Sequence, residues 1–250
     1  MPNLFDVELV FSQIPELLAY LPITLGIAFA SMLLSLLIGL ATALIKIKQI
    51  PVLRSLSAFY VSFMRGTPII VQLYLAFYAV PMAMQYINYY YGTDYNTNHI
   101  PPMIFVLITF ALNEGAYNSE SIRAAIQSVD KGGIEAGYSM GMTTTQVLRR
   151  IILPEALVVA LPTLGNSLIG LIKGTSLAFV CSVVEMTAAG KLMASRNFRF
   201  FEVYVSLAII YWLVTIVIER LIARWEKRLK VNERRVAADD PNPGLTQNIR

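Results

Sequence analysis

Residues 130–154 read Asp130-Lys131-Gly132-Gly133-Ile134-Glu135-Ala136-Gly137-Tyr138-Ser139-Met140-Gly141-Met142-Thr143-Thr144-Thr145-Gln146-Val147-Leu148-Arg149-Arg150-Ile151-Ile152-Leu153-Pro154. This polar, glycine-punctuated stretch lies between two long apolar ones. It has the grammar of two short helices with a bend. Asp130 caps the first, Gly141 supplies a positive φ or a close backbone approach at the break, and Thr143, Thr144 or Thr145 caps the second. Ile134, Tyr138, Val147, Ile151 and Ile152 offer apolar faces, and Pro154 breaks the run before the next apolar segment. Two readings fit this pattern: an amphipathic linker lying on a bilayer, or a docking element for a cytoplasmic partner.

Working outward, the flanking segments are membrane-like. The chain has 250 residues, 56% hydrophobic and only 14% charged, with a mean hydropathy of +0.59. Soluble domains carry about 25% charged residues, so much of this surface is expected to face lipid. A crossing helix needs about 20 mostly apolar residues. Candidates run over about 20–45, 56–86 (interrupted at Arg65-Gly66-Thr67-Pro68, where a kink or a late helix start is expected), 102–126, 156–184 and 203–223. The expectation is an all-α membrane protein with five transmembrane helices. Residues 1–19 form an extracytoplasmic N-terminal segment without the basic region of a signal peptide. Residues 20–235 form the membrane domain, with a cytoplasmic loop at 127–155, and 236–250 form a disordered cytoplasmic tail.

Lys46, Lys48, Arg54, Arg123, Lys131, Arg149, Arg150 and the basic cluster from Arg224 to Arg235 fall on one side of this topology. The N-terminus and the tyrosine-rich loop at 88–99 carry no Lys or Arg. The positive-inside rule therefore places the N-terminus outside and the C-terminus in the cytoplasm, with Lys191, Arg196 and Arg199 counting against it. The net charge of +4 reads as membrane orientation rather than nucleic-acid binding, because the basic residues sit beside apolar segments.

The composition excludes several chemistries. One cysteine, Cys181, and one histidine, His99, leave no disulfide framework, metal cluster or histidine-based triad. No Gly-x-x-x-x-Gly-Lys-Ser/Thr loop is present: Lys173-Gly174-Thr175 has those residue types in the wrong order, inside a membrane segment. An intramembrane enzyme is disfavoured on the same grounds.

Charged groups at membrane depth are costly, about 2.5–3.5 kcal/mol each by insertion scales, and usually face a cavity. On the third candidate helix, Glu114, Tyr117, Asn118 and Ser121 form one stripe, and Asn113, Tyr117 and Glu120 an overlapping one. Glu114 and Tyr117 are expected to line a polar path, with Glu114 holding a ligand ammonium group or, alternatively, pairing with Lys173 for structure. Glu120 and Arg123, at i and i+3, are expected to form an ion pair. On the fourth helix Asn166, Gly170 and Lys173 share a face, and Gly170, Gly174 and Ala178 make a small-residue ridge suited to helix packing.

The 130–154 stretch resembles the EAA signature of ABC importer permeases. Glu135-Ala136-Gly137 stands for Glu-Ala-Ala, Gly141 follows at the family's spacing, and Ile152-Leu153-Pro154 completes it. Gly137 replaces the second alanine, small for small, and Gly133 stands where the family often has glutamine. Arg65-Gly66-Thr67-Pro68-Ile69-Ile70-Val71-Gln72 resembles the second-helix motif of the polar amino acid branch. Ala116-Tyr117, Glu120 and Arg123 match its third helix, and Asn166 with Lys173-Gly174-Thr175-Ser176-Leu177 its fourth. Gly174 departs from an aspartate often found between that lysine and threonine. The chain thus resembles the permease subunit of type I ABC importers of the histidine, glutamine, arginine and cystine group.

That resemblance implies a five-helix, N-out/C-in, MetI-like permease at the bacterial plasma membrane, pairing with a copy of itself or a close relative. It implies a coupling helix docking on a separate ATP-binding subunit, which would carry ATP and Mg, with no cofactor on this chain. An external substrate-binding protein would deliver an amino acid. The residues implied for ATPase coupling are Glu135, Ala136, Gly137, Met140, Gly141, Leu153 and Pro154. Those implied for the substrate path are Thr67, Gln72, Glu114, Tyr117, Asn166, Lys173, Thr175 and Ser176. The alternative is a stand-alone carrier or channel for small polar solutes, which leaves the bent segment without a role. No internal repeat of the kind common in secondary carriers is visible.

Overall fold

A computed structural model of the chain describes residues 5–96 and 100–238; the expected tail at 239–250 and His99 lie outside them. Every regular element among the described residues is helical. Two short helices, α1 (Val7–Ser12) and α2 (Ile14–Leu18), precede the long α3 (Leu21–Ile47). Then come α4 (Leu53–Gly66), α5 (Ile69–Tyr91) and α6 (Pro102–Gln127). The bent segment forms α7 (Lys131–Ser139) and α8 (Thr144–Val147), continuing through a π-helical turn (Leu148–Ile152) into α9 (Leu153–Gly174). A 3₁₀ stretch (Thr175–Cys181), α10 (Met186–Asn197) and α11 (Phe200–Ala238) complete the chain.

Among the described residues, four runs are long and apolar enough to cross a bilayer: Leu21–Ile47, Ile69–Tyr91, Thr144–Cys181 and Phe200–Leu229. The fifth expected crossing, α6, has 26 residues, enough length, but Glu114, Glu120 and Arg123 lower its apolar content. It is sheltered instead by protein, packing most extensively on α3 and also on α4, α5 and α9. The α3–α6 seam is built from small residues. Thr24, Ala28, Ser31, Ser35, Gly39 and Thr42 are all buried on α3. A Cβ on Gly39 would lie 3.1 Å from the Ser119 amide nitrogen, and one on Gly115 2.9 Å from Ile38 Cγ2. Such stripes let helices approach closely where lipid offers no hydrophobic driving force.

The interruption at Arg65–Pro68 is a complete break. Thr67 and Pro68 are both extended (Thr67 φ −118°, ψ 144°), and Pro68 stands at the N-cap of the next helix, because the residue before proline disfavours helix and Pro68 has no N–H to continue α4. The expected break at Pro154 does not occur. Helix runs from Thr144 through Gly174, and the Leu153 N–H donates to the Leu148 carbonyl, five residues back. The widened turn places Pro154, which has no N–H to contribute, within the first turn of the new register.

At one end, α1 and α2 pack on α11, and α2 also on α10. Leu17 is fully buried, Gln13 Nε2 donates to Ser206 Oγ (2.9 Å) and Ser206 Oγ to the Val10 carbonyl (2.7 Å). α10 was not foreseen. It holds two of the cations that opposed the charge rule, Lys191 lying 4.7 Å from the Phe179 ring centroid, and the third, Arg199, pairs with Glu202 at 3.0 Å. Local partners therefore engage Lys191 and Arg199.

Candidate functional site

The bent segment sits at the opposite end. Asp130 accepts from the Gly133 N–H at 3.0 Å, capping α7. Gly141 has φ +78°, and Thr143 and Gln146 form a reciprocal capping box around α8. Val147 is fully buried, while Ile134, Ile151 and Ile152 pack on Ala125, Val129, Ala156 and Ala160 at the ends of α6 and α9. A Cβ on Gly137 would meet Ile151 Cδ1 at 2.8 Å, so glycine lets α7 press onto the α8–α9 arm. Tyr138, expected on an apolar face, stays exposed, and Met140 is 84% exposed. Glu135, Ala136 and Gly141 are exposed as well. This end presents a firm, internally packed hairpin with an open outer surface. Leu153 and Pro154 are exposed farther along, on the first turn of α9.

Within the bundle, a cavity of about 430 Å³ opens between α4, α6 and α9. Arg65 reaches it from the end of α4, and Glu114, Tyr117, Glu120 and Ser121 come from α6. Thr163, Asn166, Ser167 and Gly170 come from α9. The Arg65 guanidinium lies 5.3 Å from the Tyr117 ring centroid, a cation–π contact. Ser167 shares this cavity wall with Glu114 and donates its hydroxyl to Asn118 Oδ1 at 2.9 Å. The ion pairs among the described residues are Lys46–Glu120, Arg123–Glu120 and Arg199–Glu202. Arg65 and Glu114 therefore share one cavity, and neither is neutralised by an ion-pair partner.

The other path candidates scatter. Gln72 Nε2 donates to Thr67 Oγ1 (2.7 Å), and Asn113 Nδ2 donates to Gln72 Oε1 (3.0 Å). Thr67 and Gln72 thus latch the helix break to α6. Asn118 leaves the stripe it was expected to share with Glu114. Fully buried, it donates to Ser35 Oγ (3.0 Å) and accepts from Ser167 Oγ (2.9 Å), tying α3, α6 and α9 together. The Glu120–Arg123 pair forms as expected, at 2.7 Å, with Lys46 joining at 2.6 Å.

Lys173 does not pair with Glu114. With Ser176 it lines a second cavity of about 280 Å³ bounded by Thr187, Tyr204 and Tyr211. Thr175 is buried, donating to the Ile172 carbonyl. Gly170 meets nothing within 4 Å of a built Cβ. Within this chain, then, the small-residue ridge is not packed at that end, because Gly170 faces the cavity.

Two features escaped the sequence reading. Arg65, Thr163 and Ser167 complete the cavity, Arg65 being hidden within a motif that reads first as a helix break. Glu185 is fully buried and has no ion-pair partner among the described residues. It accepts from the Ala188 N–H (2.9 Å), Tyr211 Oη (3.2 Å) and Thr24 Oγ1 (3.3 Å), fastening α10 to α3 and α11. Burial pushes its carboxyl pKa up, against the opposing pull of these donors.

An all-helical bundle with a charged cavity at mid-helix and a packed hairpin at one end defines a membrane permease. The chain belongs to the family described as binding-protein-dependent transport system inner membrane component, which matches residues 35–231. It is 41% identical over 236 residues to the L-cystine transport system permease protein TcyL of Bacillus subtilis (strain 168), covering 94% of this chain and 96% of that one. It is 33% identical to the glutamine transport system permease protein GlnP of Escherichia coli (strain K12), covering 91% and 99%. The crystal structure of an amino acid ABC transporter with histidines superposes with a TM-score of 0.75 at 32% identity, covering 90% of this chain and 99% of that one. The inward-facing MetNI methionine ABC transporter shares the fold, with a TM-score of 0.64 at 19% identity, covering 85% and 95%. The stand-alone carrier alternative gives way to this membership. The chain is an inner-membrane permease subunit, of a family whose ATPase is a separate subunit.

Proposed function

We propose that this chain forms one half of the translocation path of an ATP-driven amino acid importer, and that the α4–α6–α9 cavity holds the zwitterion. The observation that carries the reading is the pairing of Arg65 and Glu114 in one cavity, with no ion-pair partner for either among the described residues. An α-amino acid presents a carboxylate and an ammonium a few bonds apart. Arg65 suits the first through its planar fork of donors, and Glu114 the second, with Tyr117, Asn166 and Ser167 supplying polar contacts around them. Lys173, Ser176 and Tyr211 sit farther along the path, at the second cavity. Thr67, Gln72 and Thr175 act as supports.

The hairpin docks on the ATP-binding subunit through Glu135, Ala136, Met140 and Gly141. Gly137, Leu153 and Pro154 set its attachment to α9. ATP and Mg reside on that partner, a second permease copy or relative completes the path, and an external binding protein delivers the ligand. The cystine, glutamine and amino acid transport named for its relatives supports this class of cargo.

The test is uptake of labelled amino acids by the reconstituted complex. Removing one charged hydrogen bond forfeits about 1.5–3 kcal/mol, so Glu114→Gln and Arg65→Gln are each expected to lower uptake at least about tenfold. ATPase activity without ligand should persist. Unchanged uptake across several amino acids by both variants would remove this cavity from the path.

A further inference from the structure

We propose that a separate basic cavity, at the end of the bundle that carries the bent hairpin, binds the phosphate of an anionic lipid headgroup. The cavity, about 280 Å³, is bounded by Lys46 at the end of α3, Gln49 just beyond it, Arg54 and Ala58 near the start of α4, and Glu120, Arg123 and Gln127 from α6, with Arg123 Nη1 donating to Gln127 Oε1 at 2.8 Å. Of these residues only Glu120 also borders the zwitterion cavity, and nothing in this inference requires the amino acid reading.

Charge is the first argument. Three cations face one carboxylate, and both oxygens of that carboxylate are taken. Lys46 Nζ donates to Glu120 Oε1 at 2.6 Å, while Arg123 Nε and Nη2 donate to Oε2 at 3.1 and 2.7 Å. Arg54 makes no ion pair among the described residues. Three positive charges less one negative leave an excess of two, which a phosphate group is suited to neutralise through charge-assisted hydrogen bonds.

The second argument is the turn that brings Arg54 to this place. Between α3 and α4, Gln49 and Val52 both take positive φ, +53° and +65°. That conformation is uncommon for any residue with a Cβ and an outlier for a β-branched one. Strain of this kind persists only where surrounding structure holds it, and it clusters at ligand clamps. Gln49 Nε2 anchors the turn by donating to the Lys46 carbonyl at 2.7 Å.

The third argument separates a lipid from a free anion. The helix that lends Arg54 and Ala58 to the cavity, α4, also exposes Leu56, Phe59 and Phe63, with Phe59 71% exposed and its ring stacked on Phe63 at 6.3 Å. Soluble phosphate would use the cations and leave this stripe idle, whereas a lipid places its headgroup in the cavity and its chains along the stripe. Basic pockets between helices at the cytoplasmic face are suited to such headgroups.

The experiment is lipid titration of the purified transport complex, read by native mass spectrometry, with dioleoylphosphatidylglycerol and dioleoylphosphatidylcholine as probes and inorganic phosphate as competitor. The wild type is expected to retain phosphatidylglycerol at least about fivefold over phosphatidylcholine. Arg54→Gln should lower that preference by about fivefold, the effect of one basic residue near an anionic headgroup. Ala58→Glu should do the same by adding a carboxylate at the rim, and Arg54→Lys should keep the preference. Equal retention of the two lipids by the wild type would overturn the proposal. So would a wild-type preference in both Arg54→Gln and Ala58→Glu. Displacement of phosphatidylglycerol by millimolar inorganic phosphate would assign the cavity to a soluble anion and end the lipid reading.

Discussion

Gly141 and Gly137 lie four residues apart and are constrained by different physics. Gly141 has φ +78° with open space around a built Cβ, so the cost of a side chain there is conformational, about 1–2 kcal/mol. Gly137 sits in ordinary helix, where a Cβ meets the movable end of Ile151 at 2.8 Å. Gly141→Val is therefore expected to reduce ligand-stimulated ATPase activity of the complex severalfold. Gly137→Ala, where Ile151 can swing aside and alanine raises helix propensity, should leave it within about twofold. Equal losses in the two would show that contact, not backbone conformation, governs the hairpin. Glu185 offers a second contrast. Its three donors satisfy a carboxyl or an amide alike, since the Thr24 and Tyr211 hydroxyls can reorient. Glu185→Gln should keep the thermal midpoint nearly unchanged, whereas Glu185→Ala strands buried donors at about 1–3 kcal/mol and should lower it clearly. Thermal denaturation of the detergent-solubilised permease reads both.

The elements owe their bounds to where backbone hydrogen bonds are missing. Two prolines act oppositely because of what precedes them. Pro68 follows an extended residue and ends α4, while Pro154 follows a π-helical turn that absorbs its missing N–H and keeps α8 and α9 one continuous lever. Restoring that N–H in Pro154→Ala favours ordinary helix across 148–154. Removing one residue's worth of register rotates α8 by about 100° relative to α9, given 3.6 residues per turn. The expected result is intact folding with ligand-stimulated ATPase activity reduced about threefold or more. Wild-type stimulation in this variant would show that the π turn is incidental.

For the molecule as a whole, the two ends of the bundle are chemically distinct. One end carries α1, α2, α10 and the Glu185 fastening; the other carries the bent hairpin and the Lys46–Glu120–Arg123 cluster. From the charge bias we propose that the hairpin end faces the cytoplasm. In a Cys181→Ser background, Met140→Cys should react with a membrane-impermeant maleimide only in inside-out vesicles. Tyr89→Cys, at a position 83% exposed, should react only in right-side-out ones. The reverse pattern would invert the topology and move the hairpin out of reach of any cytoplasmic ATPase.

Sequence alone determined the helical membrane class, the approximate extents of the long apolar runs, the Asp130 cap, a break at Gly141 followed by a threonine cap that the structure assigns to Thr143, and the Glu120–Arg123 pair. Each is encoded within a few residues, as periodicity, a cap, a positive φ or an i,i+3 contact. Only the tertiary structure decided which polar side chains share a cavity. Glu114 and Asn118 fall on one stripe of α6, yet α3 claims Asn118 while Glu114 opens toward Arg65, a residue 49 positions earlier in the sequence. The same holds for Lys173, drawn toward Tyr211 rather than Glu114, and for Glu185, whose partners come from three helices. Spacing along one helix fixes direction about that helix axis. It does not specify which neighbour stands there, and that is set by packing between segments far apart in the chain.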